Sequence, residues 1–240
     1  MITLKDLFNQ LESSELNQMY LSGGISSTTK GISVKNYPEL IDMFNLALTA
    51  LHTRLNLKER EVVVQTYDAL SFYKLDSRYS VSAGTPGPIP LYIIDTVENP
   101  FKDDIIRVER VYDESGAEIS INDDNDEMSC YLSAHDTIQI PYPADDNSIF
   151  VLYRANHTKL DRTLTDPSLV EIDIPEYCIE PLLAYVTSKV YARNTGVEQQ
   201  NASATYMAKY INYCDILENR NVLHNNPNDT NSKLERNGWV

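Results

Sequence analysis

The sequence of 240 residues is poor in cysteine and in basic residues. Its three cysteines, Cys130, Cys178 and Cys214, are far apart and lack the spacing of a zinc site, so we expect reduced core residues rather than disulfides. Lysine and arginine number 20 against 35 aspartates and glutamates, which gives a net charge of −15. Binding to a nucleic-acid backbone requires clustered cations, so this charge argues against a protein that grips DNA or RNA.

Long apolar runs and signal sequences are also missing. No apolar stretch approaches the length that spans a bilayer, so we expect no membrane partner. The first twenty residues follow an amphipathic helix pattern with acidic residues instead of a basic, apolar leader. Synthesis in the cytoplasm is therefore expected.

Recognisable catalytic and ligand-binding motifs are absent as well. The histidines have no metal-ligand spacing, and no serine lies in a G-x-S-x-G turn. His52 is interpreted as a partly buried surface histidine. The acidic run at 123–127 offers oxygen ligands but lacks the glycine and terminal glutamate of a calcium-binding EF-hand loop, so a solvated hairpin tip is preferred. We expect no catalytic residue, no metal ligand and no cofactor.

Helical patterns occupy the beginning of the chain. Thr3 followed by Asp6 predicts a capped helix that runs to about Tyr20. A second helix is predicted to begin at Tyr37 and end near Asn56, because leucine, isoleucine and phenylalanine recur at three- and four-residue spacing.

The period changes to alternation after residue 58. Residues 62–66 and 70–75 predict two strands of a hairpin around an Asp68-Ala69 turn. A second hairpin is predicted where DIIRVERVYD turns at residues 114–116 into AEISIN. With further strands in SCYLS, TIQIPY and SIFVLYRANH, the segment predicts an antiparallel sheet or sandwich of about six to eight strands.

Residues 173–222 predict two helices joined near Gly196. Asp173 is the candidate N-cap of the first, and Gly196 is expected to close it in a left-handed conformation. Pro181 lies inside the apolar pattern, so we expect either a kink there or a short turn at residues 175–180 before the main helix.

The second helix of this pair carries a wide apolar arc. Tyr206, Tyr210 and Tyr213 lie on one face together with Leu217. Such an arc indicates a helix that is covered on more than one side, by its own domain and by a neighbouring subunit. Ordinary core packing within the chain is the alternative interpretation.

The last residues carry a separate signal. A polar, asparagine-rich linker precedes three apolar residues, Leu234, Trp239 and Val240, and Trp239 is the only tryptophan. They form either a frayed end or an anchor for a partner's pocket. Because tyrosine and tryptophan are enriched at protein interfaces, our candidate oligomer or partner contacts are Tyr206, Tyr210, Tyr213, Leu234, Trp239 and Val240.

The order of these patterns predicts an α+β fold with N- and C-terminal helices packed as a small bundle and a central antiparallel β sheet or sandwich. The expected divisions are a helical bundle of residues 1–57 and 173–223, a β domain of residues 58–172, and an extended tail of residues 224–240.

The same order resembles the head-to-tail adaptor proteins of short-tailed bacteriophages. The resemblance rests on NLALTALHTRLN, EVVVQTYDALSFYKL, IIRVERVYDESGAEI, FVLYRANH and the closing pair from EIDIPEYCIEPLLAYV to ATYMAKYINYCDIL, and it covers most of residues 38–220. Asparagine and tyrosine usage is similar to that of the crAss-like group of phages.

This resemblance implies a non-enzymatic, twelvefold homo-oligomeric ring in the neck or tail of the virion, made in the host cytoplasm. Its partners would be the portal protein and further connector or tail rings, and DNA would pass through the channel without sequence-specific binding. Two other functions stay open from the residues: a β module with helical flanks that binds carbohydrate or a receptor, and a hydrolase that uses paired carboxylates.

Overall fold

The computed structural model describes residues 2–13, 32–83, 89–193 and 196–219 and has an α+β fold, as predicted. Its α-helices are α1 (Leu4–Ser13), α2 (Tyr37–Arg54), α3 (Ile179–Ala192) and α4 (Val197–Asn219). Its strands are β1 (Ile2–Thr3), β2 (Glu59–Gln65), β3 (Phe72–Lys74), β4 (Ile93–Ile94), β5 (Ile105–Tyr112), β6 (Glu118–Ile119), β7 (Tyr131–Ala134), β8 (Thr137–Gln139), β9 (Ser148–Ala155) and β10 (Glu171–Ile172). Among these described helices, none has the length and apolar character needed to cross a bilayer.

The chain divides into two compact units. A helical unit comprises Met1–Met43 and Leu164–Val240, and a β unit comprises Phe44–Thr163. These divisions differ from the expected ones at residues 57/58 and 172/173. The observed boundary between Met43 and Phe44 lies within α2. The later part of this helix belongs to the β unit, because it is hydrogen-bonded to residues 155–160 of that unit. The expected tail, residues 224–240, lies outside the described residues.

In the helical unit, the N-terminus of α1 carries the predicted cap. The Asp6 backbone N–H donates to Thr3 Oγ1 at 3.2 Å, and the Thr3 backbone N–H donates to Asp6 Oδ2 at 3.2 Å. This reciprocal arrangement is a capping box with aspartate in the usual place of glutamate. Residues 14–20 of the predicted helix lie outside the described part of the chain.

A short strand pair was missed by the sequence analysis. Ile2 of β1 pairs with Ile172 of β10, and the Leu4 N–H donates to the Val170 carbonyl at 2.9 Å. Next to this pair, α1 buries four apolar side chains and packs on α3. The expectation that the N- and C-terminal helices pack together is therefore confirmed for α1 and α3. A pair of two-residue strands is too short to show an alternating pattern.

Pro181 occupies the first turn of α3. A 3₁₀ turn at Glu176–Cys178 precedes the helix, so the short-turn alternative is confirmed. The first four backbone N–H groups of a helix have no acceptor inside it, so proline at the third position removes no hydrogen bond. Asp173 is not the cap, because Pro175 occupies the N-cap position of the 3₁₀ turn.

Gly196 directly precedes α4 instead of closing α3. The Gly196 carbonyl accepts a hydrogen bond from the Gln200 N–H at 3.0 Å, which is the first helical bond of α4. The residue that caps α3, Arg193, has right-handed φ and ψ angles of −74° and −19°. The prediction of a left-handed glycine at this position was wrong, because the helix ends before Gly196 is reached.

The β unit contains two sheets. The larger has the strand order β4-β2-β9-β5-β6 and the smaller β3-β8-β7, so the number of strands agrees with the prediction. Every pairing within the named strands of these sheets is antiparallel. The predicted β5–β6 hairpin is confirmed, with Gly116 at a φ of 83° in its turn.

The predicted hairpin between β2 and β3 was wrong. Only an isolated bridge joins Tyr67 to Leu70, after which β3 leaves the larger sheet and pairs with β8. The Tyr73 hydroxyl lies across this turn, accepting from the Tyr67 N–H at 2.8 Å and donating to the Tyr67 carbonyl at 3.1 Å. The turn was therefore identified correctly, but the strands on either side of it have non-local partners.

Both sheets share one apolar core. It contains Tyr73 and Ile138 from the smaller sheet and Val64, Val151 and Tyr153 from the larger one. Tyr73 packs edge-on against Tyr92 with ring centroids 5.2 Å apart. Because aromatic rings bury a large area and prefer edge-to-face contact, these tyrosines fix the spacing of the two sheets.

All three cysteines are reduced and buried, as predicted. Burial raises the pKa of Cys130 to about 11 and, with the nearby Cys214, raises the pKa of Cys178 to about 12. These thiols are therefore protonated at neutral pH and pack as small apolar side chains.

A polar seam joins the later part of α2 to the segment after β9. Asn45 donates to the Leu160 carbonyl at 3.1 Å and accepts from the Leu160 N–H at 2.8 Å. His52 is 2% exposed and places Nδ1 3.2 Å from the Ala155 carbonyl. It is therefore a buried histidine of this seam, and its interpretation as a partly buried surface residue was wrong.

The substitution Thr3→Ala tests the capping box. We expect it to lower the free energy of unfolding by about 1 kcal/mol, since an N-cap oxygen is removed from the first turn of α1. Chemical denaturation followed by circular dichroism measures the loss. Asn9→Ala, at an exposed position of the same helix, is the control. An equal effect of both substitutions would contradict the capping role.

His157 makes stability depend on pH. Burial lowers its pKa below the ordinary value of about 6.5, so the unfolded state binds the proton more tightly. The contribution of neutral His157 to the free energy of unfolding is therefore fully present above that value, and it is lost as the pH falls below it. Denaturation between pH 8 and 5 should show this loss, with a shallower slope in His157→Gln; an unchanged slope in that variant would contradict the role of His157.

Candidate functional site

The β unit contains a pocket of about 370 Å³. Its lining comes from four places: Thr66 after β2, the β5–β6 hairpin, residues 127–130, and the chain from Ile140 to Ile149 at the start of β9. This volume lies in the lower part of the range of roughly 300–1,000 Å³ that is usual for ligand pockets. We name it the acid-rimmed pocket.

The floor of the pocket is apolar. It is formed by core-facing side chains of the strands and their continuations, namely Val111, Ile119, Cys130, Ile140 and Ile149. At the edge, Pro141 and Pro143 flank Tyr142, which is 73% exposed, and Met128 is also 73% exposed. Large apolar side chains in such exposed positions, next to an apolar floor, are typical of a binding surface.

The rim of the pocket is negatively charged. Asp113, Glu114 and Glu127 line it, and no lysine, arginine or histidine is among its lining residues. Glu114 is held in place by the Ser148 N–H, which donates to its Oε1 at 2.6 Å. The pocket therefore favours a ligand with cationic groups beside an apolar one.

Asp113 is fixed in its ionised form. Its Oδ1 accepts hydrogen bonds from Ser115 Oγ at 2.7 Å, the Ser115 N–H at 2.8 Å and the Ala117 N–H at 2.9 Å. The Ser115 hydroxyl and these backbone donors lower the pKa of Asp113. A general acid needs the opposite shift, so this carboxylate is suited to attracting cations and not to donating a proton.

Local turns also position the loop that carries Glu127 and Met128. Asp126 Oδ1 accepts from the Met128 N–H at 3.0 Å, and Ser129 Oγ donates to the Ser120 carbonyl at 3.0 Å. The preferred interpretation of 123–127 as a hairpin tip was wrong, since β6 pairs with β5 and β7 pairs with β8. The acidic run is a connection between two sheets, and its end forms a wall of the pocket.

The three tyrosines predicted as contact residues all lie on the side of α4 that faces α3. Tyr210 is 7% exposed and packs edge-on against Tyr185, with centroids 5.0 Å apart. Tyr206 is half-buried and stacks on Tyr191 at 5.6 Å. Tyr213 is half-buried on the same stripe. Contacts within the helical unit thus account for the rings of Tyr206 and Tyr210.

The other predicted contact residues, Leu234, Trp239 and Val240, lie outside the described part of the chain. The acid-rimmed pocket itself was missed, because its lining residues are up to 83 positions apart in sequence. The Pro-Tyr-Pro of residues 141–143 next to an alternating strand was the available signal. Prolines on both sides of an aromatic residue keep that ring on an exposed, rigid turn.

Tyr210→Ala tests whether this ring belongs to the core of the helix pair. We expect a loss of about 3 kcal/mol in the free energy of unfolding, as for other large-to-small core substitutions. Tyr213→Ala, one turn away and half-buried, should cost clearly less. Thermal unfolding followed by circular dichroism compares the two. Equal losses would mean that Tyr210 has no special place in the packing.

Within the described ranges, no group of three or more histidine, cysteine, aspartate or glutamate side chains is placed to hold a metal ion. Comparison of the chain with protein-family models and with curated proteins finds no match.

Proposed function

We propose that this chain is a structural subunit of a head-to-tail connector ring of a short-tailed bacteriophage. In this role it would dock on the portal, continue the DNA channel and support further connector or tail proteins. Its place would be the neck or tail of the virion. Two observations support this function: the order of the elements along the sequence and the exposed residues of α4.

The observation that carries the proposal is a group of exposed small and apolar residues on a second side of α4, where Gln200, Asn201 and Asp215 are also exposed. The helix has 23 residues, and its inner stripe packs on α3. On a different side, four small or apolar residues recur at helical spacing and are exposed: Val197, Ala204, Ala208 and Ile211. We name them the outer stripe.

A second copy of the chain is the occupant we propose for the outer stripe. Small side chains allow close approach of another backbone, and closed rings repeat one such contact around an axis. Val197 is 73% exposed and Ile211 is 46% exposed, so a neighbouring subunit would remove this apolar area from water.

Acidic groups on the described surface support the channel role. Aspartates 113, 126, 161 and 166 all have lowered pKa values, through hydrogen bonds from residues just after them. They therefore stay ionised at neutral pH. A ring of net negative subunits would let DNA pass without holding its phosphates.

The alternative of a carbohydrate- or receptor-binding β module predicts an exposed tyrosine platform on a strand. In the described strands, Tyr73 and Tyr153 are buried and Tyr112 and Tyr131 are half-buried. The most exposed tyrosine of the β unit, Tyr142, lies in a loop. No strand face described here therefore favours that function over the connector ring.

Native mass spectrometry and electron microscopy test the proposal. We expect rings of the purified protein, alone or after mixing with portal protein. A charge within the outer stripe, Ile211→Asp, should abolish ring formation, because the carboxylate would be buried without a partner.

Asn212→Asp is the matched control, since it places the same side chain at the adjacent exposed position, outside the stripe. It should leave the ring intact, and both variants should keep the helical circular-dichroism signal. A protein that stays monomeric and indifferent to portal would refute the connector function. Equal assembly of the two variants would refute the outer stripe as the contact.

A further inference from the structure

The acid-rimmed pocket opens onto exposed apolar side chains. Its volume is about 370 Å³ and its floor is apolar, whereas Met128 and Tyr142 at its edge are each 73% exposed. A small molecule of that volume would leave much of both side chains in water. A polypeptide can place one side chain on the floor and cover Met128 and Tyr142 with its neighbours, which removes more apolar area from water. The edge of the pocket therefore favours a protein segment over a small molecule.

The charge of the rim determines which kind of segment fits. Asp113, Glu114 and Glu127 are acidic, and none of the lining residues is basic. Asp113 accepts three hydrogen bonds from the residues that follow it, and the Ser148 N–H orients Glu114. Two of the three carboxylates are therefore in place before a ligand arrives, so little ordering is needed on the pocket side. A segment with lysine or arginine gains from this rim, whereas an acidic segment is repelled.

A second copy of this chain is a poor match for the same rim. The net charge of the chain is −15, so a contact between copies at this rim would bring like charges together with no basic lining residue to offset them. We propose that the pocket binds a segment of another protein in which one large apolar side chain is flanked by lysine or arginine. The lining belongs to the β unit alone, so this site is independent of the contact proposed for α4.

The apolar side chain is the anchor of this interaction. It packs on the apolar floor, and a single buried anchor supplies much of the affinity of many interfaces. Pro141 and Pro143 restrict the turn that carries Tyr142, so little backbone freedom is lost when this ring is covered. The carbon stems of lysine or arginine can lie along Met128 while their charged ends reach the carboxylates. Anchor and cations must therefore lie within a few residues of one another.

Fluorescence anisotropy of labelled pentapeptides tests the site on the full chain. The probes are Lys-Arg-X-Lys-Arg, in which X is tryptophan, phenylalanine or leucine. We expect saturable binding of at least one probe. In one control peptide alanine at X removes the anchor, and in another glutamate replaces all the cations. Each control should bind about tenfold more weakly or less, because it lacks one of the two groups that the pocket recognises.

Two matched pairs of substitutions locate the binding. Met128→Lys should weaken binding of the probe about tenfold, whereas Val97→Lys, with the same charge change at an exposed position outside the lining, should not. Glu127→Gln should weaken it about threefold, whereas Glu98→Gln, which removes the same charge elsewhere, should not. All four side chains are exposed, and circular dichroism verifies that the variants fold.

Three results with the peptides would overturn the proposal. One is the absence of saturable binding by all three probes at protein concentrations up to about 1 mM. Another is equal binding of a probe and either control peptide, which would mean that charge alone or the apolar floor alone is recognised. The third is an equal effect of the substitutions inside and outside the pocket. None of these results bears on ring formation, which is measured without peptide.

Two further measurements address other occupants. Tryptamine carries an indole and an amine in one small molecule, so displacement of the probe by an equal concentration of tryptamine would assign the pocket to small ligands and overturn the proposal. Native mass spectrometry of Met128→Lys compares its oligomeric state with that of the unmodified chain. An unchanged state supports the proposal, whereas a loss of oligomers would assign this rim to contacts between copies and overturn it.

Discussion

The β unit depends on the pairing of β9 with two neighbours at once. On one side its register with β2 runs without interruption from Arg154 opposite Glu59 to Ser148 opposite Gln65. On the other side it pairs with β5, where two irregularities bend the strand. Alternate residues of β9 are buried, so a slip by one position would turn Val151 and its neighbours out of the core. The alternating burial of β9 therefore sets the register of both β2 and β5.

Each end of β9 contributes to a different structural feature of the β unit. At its start, Ser148 and Ile149 line the acid-rimmed pocket, and the Ser148 N–H orients Glu114. At its end, the carbonyl of Ala155 contacts His52 of α2, and the polar seam continues to Leu160. A binding site built at the end of a central strand is held by the ladder hydrogen bonds behind it. The hydrogen bonds of the sheet therefore hold this side of the pocket in place, although loops supply much of its lining.

Local patterns in the sequence were sufficient for the features that depend on neighbouring residues. The Thr3–Asp6 cap, the turn before Pro181 and the β5–β6 hairpin each involve residues within a few positions of one another. The partners of β2 could not be predicted in this way, because β9 lies more than 80 residues further along the chain. The pocket was missed for the same reason. Periodicity also cannot tell whether an apolar arc such as that of α4 faces its own chain or another one, since both contacts exclude water equally.

Several aspartates of this acidic chain stabilise turns in addition to contributing to its net charge. In six places within the described part of the chain, an aspartate side chain accepts the backbone N–H two residues further on: Asp76, Asp113, Asp123, Asp126, Asp161 and Asp166. Short polar side chains do this in turns, where they replace a backbone acceptor. These carboxylates therefore belong first to the loops of the fold. Because a turn leaves its carboxylate at the surface, the same residues add to the negative field around the protein, and one of them, Asp113, contributes directly to the rim of the pocket.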